Sequence, residues 1–120
     1  MTVGERTNWL HLLLSFEVPV DDALAALQRY PWDCDELVTL TPEHISRVLR
    51  RFLAGELTAR DVEHWADAVE CRDDVAMSEL VKEVIFDLAN PVLQGELNDD
   101  RAKLEIARLR RGQRGNDSTC

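Results

Sequence analysis

An apolar repeat at helical spacing, bounded by residues that begin and end helices, dominates the middle of this chain. The repeat consists of Ile45, Val48, Leu49, Phe52 and Leu53. Positions i, i+3, i+4, i+7 and i+8 lie on one face of an α-helix, so these side chains form a stripe that packs against a core. Thr41 can cap the start of this helix, Pro42 suits its first turn and Gly55 can end it.

Five more segments carry helix signals. Thr58 and Asp61 resemble a capping box, Asn90-Pro91 ends the helix that begins near Ser78, and the last predicted helix ends at Gly112. The predicted helices cover residues 7–16, 21–30, 42–54, 58–70, 78–89 and 98–111. The pattern predicts an all-α fold, a compact bundle of about six short helices in one domain (1–111), followed by a flexible, disordered tail (112–120).

The apolar positions of these helices define a predicted core. Its members are Leu13, Phe16, Leu24, Leu27, Ile45, Leu49, Phe52, Val62, Trp65, Val69, Val81, Val84, Ile85 and Leu88. Trp65 is the largest of them and has the helical phase of Val62 and Val69, which predicts that its ring is buried.

Composition excludes several classes of protein. The chain has 120 residues and a net charge of −9, which opposes general nucleic-acid binding because phosphate contacts need a basic surface. No stretch approaches the roughly 20 apolar residues of a membrane span, and the N-terminus lacks the pattern of a secretory signal. Cys34, Cys71 and Cys120 have no CxxC spacing, so we expect reduced, unreactive thiols and a cytoplasmic protein.

No spacing in the chain matches a catalytic, cofactor or metal motif. His11, His44 and His64 do not form an HExxH pair, and neither GxSxG nor a glycine-rich phosphate loop occurs. We therefore predict no enzyme activity, no cofactor and no metal. The arginines near the C-terminus suit the negative end of a helix dipole better than a phosphate site.

Negative charge is concentrated in residues 56–100, which hold 13 acidic and 3 basic side chains, a net charge of −10. The acidic side chains that line the helix faces and the loop there are Glu63, Asp67, Glu70, Asp73, Asp74, Glu79, Glu83 and Asp87. Like charges one turn apart cost a helix about 0.2–0.5 kcal/mol per pair. Their alignment favours a surface that binds a basic partner; a solvated face that keeps the protein soluble is the alternative.

Trp32 lies among acidic residues in the loop after Tyr30. Tyr and Trp beside charged residues are typical anchors of protein interfaces, so we predict Trp32 at the edge of the acidic surface. The alternative is that its ring packs under the loop and closes the bundle.

Residues 31–97 resemble immunity proteins of contact-dependent growth inhibition systems. The resemblance is carried by LTxExxxxxLxxFLxGELTxxDVExWA at 40–66 and by IFDLANP at 85–91. It implies a cytoplasmic protein that binds the toxic C-terminal domain of a delivered effector. Many such toxin domains are nucleases with basic clefts, which an acidic protein would complement. Neither the toxin nor the blocked surface follows from the resemblance.

Two classes of function other than an enzyme fit these observations. The first is an immunity protein that binds and neutralises a basic, nuclease-type toxin domain, with no nucleic-acid or membrane partner. The second is an acidic helical interaction or scaffold protein of a cytoplasmic complex, including one that mimics nucleic acid. The oligomeric state does not follow from the sequence.

Overall fold

The protein, described here as a computed structural model, is all-α with one very short sheet. The structure describes residues 3–29, 36–91 and 95–119, with side chains for 4–29, 36–91 and 95–112. In these ranges the elements are α1 (Val3–Leu14), α2 (Val20–Leu27), β1 (Val38–Thr39), α3 (Pro42–Leu53), α4 (Ala59–Glu70), β2 (Val75–Ala76), α5 (Glu79–Ala89) and α6 (Asp99–Thr119). The predicted all-α bundle of about six helices is confirmed.

Side-chain caps fix the starts of the central helices where the sequence predicted them. The Thr41 hydroxyl accepts a hydrogen bond from the His44 N–H at 3.3 Å, and His44 Nδ1 accepts one from the Thr41 N–H at 2.9 Å. Thr58 and Asp61 make the equivalent reciprocal pair at the start of α4. Ser78 caps α5. These bonds satisfy backbone donors that a helix start leaves free.

The predicted stripes meet in one core. Eleven of the predicted core residues are buried, and Phe16, Leu24 and Phe52 are half-buried but pack against the same cluster. Trp65 is fully buried, and its indole N–H donates to the Leu13 carbonyl at 2.8 Å. This bond joins α4 to the end of α1 and satisfies the polar atom that burial of a tryptophan introduces.

Three helix pairs and the sheet organise the bundle. Helix α4 packs most extensively on α5, α3 on α6, and α1 on α2. Strands β1 and β2 are parallel, with Val38 opposite Val75 and Thr39 opposite Ala76. The sheet therefore holds the connection between α4 and α5 beside the segment that precedes α3.

Helix α6 extends over Asp99–Thr119, past the end that the sequence predicted at Gly112. Asn98 caps its start. A Cβ at Gly112 would overlap the Leu80 side chain, so this glycine permits close packing within a helix rather than ending one. Side chains after Gly112 lie outside the described residues, and the disordered tail predicted for 112–120 stays a prediction.

Candidate protein-interaction surface

Three acidic side chains lie on the face of α4 opposite its buried stripe, and a fourth lies in the turn that follows the helix. Asp67, Glu70 and Asp73 are exposed, and Glu63 is half-buried. We call these four residues the α4 acidic row. Within the described part of the chain, none of them has an Arg, Lys or His side chain at ion-pair distance. Among the described residues, the row is therefore a band of negative charge without ion pairs.

Two groups at the end of α4 have raised pKa values. Burial, reinforced by the neighbouring charge of Asp67, raises the pKa of the Glu70 carboxyl. Burial, and then Asp67 and Glu70, raise the pKa of the Cys71 thiol. Cys71 is the exposed C-cap of α4, and its raised pKa favours a protonated thiol rather than an activated nucleophile.

Asp74 is not part of this surface, which corrects the sequence prediction. Its residue is 1% exposed, and its carboxylate accepts hydrogen bonds from Arg6 and Arg72 at 2.9–3.0 Å. Burial alone would raise the pKa of Asp74, but hydrogen bonds and charge from the two arginines outweigh it and lower the pKa. Its carbonyl also accepts from the N–H groups of Leu37 and Val38. Asp74 is a structural residue that ties α1 to the sheet.

Two of the three acids of α5 form ion pairs with α6. Arg108 donates to Asp87 and Glu83 at 3.0 Å each, and to Glu105 at 3.4 Å. We call these four residues the Arg108 cluster. Glu105 is 6% exposed, and its Oε2 has no hydrogen-bond partner in the described chain. Burial is the main cause that raises the pKa of Glu105. Glu79 is exposed at the start of α5, apart from this cluster.

An open groove of about 630 Å³ lies beside α5 and brings part of the predicted surface together. We call it the α5 groove. Its apolar lining comes from Val75, Met77, Ile85 and Phe86. Its charged lining comes from Glu36, Glu70, Arg72, Asp73, Lys82, Glu83, Asp87 and Arg108. Glu63 and Asp67 line a separate depression, so the predicted acidic set is divided over two places.

The sequence prediction missed Phe86 and Glu36. Phe86 is 47% exposed, and with Leu104 it is one of two large apolar side chains that the described chain leaves exposed. A signal existed for Phe86, because it follows Ile85 and is out of phase with the buried stripe of α5. Glu36 precedes β1 and reaches the groove only through the pairing of β1 with β2, which sequence spacing does not reveal.

The remaining predictions concern Trp32, metals and membranes. Trp32 lies outside the described residues. Among the described residues, no group of three or more His, Cys, Asp or Glu side chains could hold a metal ion. His64 instead contacts Asp21 at 2.9 Å. Of the helices that the structure describes, none has the length and apolar character needed to span a bilayer.

The chain matches no protein-family model, and no characterised protein or solved structure is significantly similar to it.

Proposed function

We propose that this protein is an immunity protein, a cytoplasmic inhibitor that binds and neutralises the toxic C-terminal domain of a contact-dependent growth inhibition effector. Two supports are independent of each other. The first is the resemblance carried by residues 40–66 and 85–91. The second is the α4 acidic row, whose carboxylates lack ion-pair partners in the described chain.

The α4 acidic row is the observation that carries the proposal. Aligned like charges disfavour the helix that bears them. The raised pKa of Glu70 has burial as its main cause and the charge of Asp67 as a second one. Such a band attracts a positively charged protein from a distance and increases the rate of encounter. A nuclease domain has a basic substrate surface, because it must hold phosphates. The row therefore suits inhibition of a nuclease by direct cover of its cleft or of an adjacent surface.

The test is co-expression with the cognate toxin domain, which for an immunity protein is encoded directly upstream of its gene. We expect cells that express the toxin domain to survive when this chain is present. The variant Asp67→Lys/Glu70→Lys should protect less well at equal expression. The control Glu17→Lys/Asp22→Lys makes the same change in net charge on exposed residues outside α4, and it should protect like the native chain.

Failure of the native chain to protect would overturn the immunity proposal, provided that circular dichroism shows a folded helical protein. The alternative, an acidic interaction or scaffold protein of a cytoplasmic complex, would then be preferred. Equal loss of protection in both charge-reversal variants would show that net charge alone matters, which would remove the α4 acidic row from the argument.

A further inference from the structure

We propose that the α5 groove is the anchor point of the interface and that it takes a basic side chain together with a neighbouring aromatic or large aliphatic side chain from the partner protein. This inference rests on the proposed function for the nature of the partner, a protein with a basic surface. It adds where that partner is held, and by which of its side chains.

The apolar part of the argument begins with Phe86. Phe86 is 47% exposed on a helix whose other large apolar residues are half-buried (Leu80) or buried in the core (Val81, Val84, Ile85 and Leu88). Around it the groove continues over Met77 and two buried residues of the core. A partly exposed aromatic ring at the edge of a concave apolar surface is typical of a binding anchor, because burial of the ring by a partner removes apolar area from water.

The charge of the groove selects the occupant. Five carboxylates and three basic side chains line it. Two of those basic side chains are already engaged, Arg72 by Asp74 and Arg108 by its cluster. Glu36, Glu70 and Asp73 have no ion pair within the described chain, which leaves Lys82 as the opposing charge.

An arginine of the partner fits this arrangement. A guanidinium offers several N–H donors in a plane, so it can bind carboxylates with two hydrogen bonds, and it also stacks on an aromatic face. The groove volume of about 630 Å³ is in the range that holds small molecules, which corresponds to a few side chains rather than a whole helix. We therefore expect a loop of the partner that carries an arginine next to an apolar residue.

Binding kinetics with the toxin domain test the anchor. Phe86→Ser should accelerate dissociation by about tenfold or more, as loss of a buried aromatic anchor does, with little change in the association rate. Leu104→Ser is the matched control, because Leu104 is 64% exposed and does not line the groove. It should dissociate at the native rate. Equal dissociation rates for native protein and Phe86→Ser would overturn the proposal.

A second experiment needs no toxin. Isotope-labelled protein is titrated by NMR with acetylated, amidated dipeptides: Arg-Phe, Arg-Ser, Ser-Phe and Glu-Phe. We expect Arg-Phe to shift the backbone signals of Met77, Lys82 and Phe86 saturably, at lower concentration than the other three. Phe86→Ser should abolish these shifts, and Leu104→Ser should retain them. No shifts at these residues, or equal shifts with Glu-Phe, would overturn the proposal that the groove binds a basic and an apolar side chain.

The two proposals fail in different ways. If Arg-Phe binds specifically in the groove but the chain does not protect cells from the toxin, the proposed immunity function is wrong and the proposed binding at the groove is supported. Protection of cells combined with a neutral Phe86→Ser variant and no peptide binding would support the immunity function and overturn the groove.

Discussion

Helices α4 and α5 both carry acidic side chains about one turn apart, but the fold compensates only one of them. On α5, Glu83 and Asp87 share the guanidinium of Arg108 from α6 at 3.0 Å. On α4, no cation of the described chain reaches the α4 acidic row. The difference is made by tertiary packing rather than by spacing. Charge that a fold leaves unpaired is the charge that remains available to a partner.

The largest expected effect comes from removing the support beneath the α4 acidic row. Trp65→Ala should lower the free energy of unfolding by about 3–5 kcal/mol, because it empties a large core site. It also leaves the Leu13 carbonyl without the indole N–H that bonds it at 2.8 Å. Urea denaturation followed by circular dichroism measures the change, with Asp67→Ala on the exposed face of α4 as the control. A midpoint for Trp65→Ala equal to that of the native chain would contradict its burial.

Asp73 and Asp74 are adjacent in sequence, but Asp73 is exposed and Asp74 is buried in ion pairs. The two residues therefore test the comparison between unpaired and paired acids. Asp74→Asn should cost about 3–5 kcal/mol, because it removes the buried carboxylate that pairs with the buried Arg6 and the half-buried Arg72. Asp73→Asn should stay within about 0.5 kcal/mol, since its side chain is exposed. Equal stability of the two variants would show that Asp74 is not the ion-pair centre of the fold.

Asp74 also gives a pH signature with a definite sign. Its pKa is lower in the folded protein than its ordinary value of 3.8. The stability that it contributes is therefore present above that value and is lost as the pH falls through the lower, folded pKa. Native protein should lose stability over this acidic range more steeply than Asp74→Asn does. Parallel pH profiles of unfolding free energy would contradict the assignment.

These two aspartates also show where sequence reasoning ends. Capping residues and apolar stripes act within four residues, so Thr41, Thr58 and the burial of Trp65 could be predicted. Asp73 and Asp74 are indistinguishable by such local rules, because the arginine that separates their roles is Arg6, 68 positions from Asp74.

The same limit applies to charge pairing between helices. Arg108 is 21 and 25 positions from the α5 acids with which it pairs, and it lies within α6 rather than in its last turn, where the sequence prediction assigns it to the helix dipole. Phe86 differs, because its helical phase on α5, one residue after Ile85, is enough by itself to indicate exposure. A search for apolar residues out of phase with a buried stripe finds it.

Arg108→Met should make the α5 face resemble that of α4. We expect the free energy of unfolding to fall by about 2 kcal/mol. Hydrogen bonds to charged groups contribute roughly 1.5–3 kcal/mol each, and the loss is limited because water can hydrate the Glu83 carboxylate once Arg108 is removed. The freed carboxylates should also increase the association rate with a basic toxin domain at low ionic strength. Arg110→Met is the control, since Arg110 is an exposed residue of the same helix. Native-like stability of Arg108→Met would show that the cluster is not formed in solution.

Glu105 is the buried member of the Arg108 cluster and is expected to oppose folding at neutral pH. Glu105→Met should increase stability at pH 7 by about 1 kcal/mol, because a buried unsatisfied polar atom costs about 1–3 kcal/mol and part is offset by Arg108. The pKa of Glu105 in the folded protein is raised above its ordinary value of 4.5. The destabilisation of the fold by Glu105 therefore grows as the pH rises from that ordinary value through the folded pKa. The gain in stability of Glu105→Met over the native chain should therefore disappear at a pH below 4.5, the ordinary pKa of the group. A gain that persists in acid would have another cause.

The smallest effect on stability, and the one most informative about function, is expected from reversal of charge in the α4 acidic row. Asp67→Lys/Glu70→Lys should change the free energy of unfolding by no more than about 0.5 kcal/mol, because it removes like-charge neighbours and adds cations near a helix C-terminus. Association with a basic toxin domain should become slower at about 0.01 M ionic strength and nearly equal to native at about 1 M, where the Debye length is about 3 Å. Stopped-flow measurements at both ionic strengths check this against Glu17→Lys/Asp22→Lys. An association rate at low salt that matches this control would make the α4 acidic row only a solubilising face, and the interface would have to be sought elsewhere, on the 30–40 loop or the basic last helix.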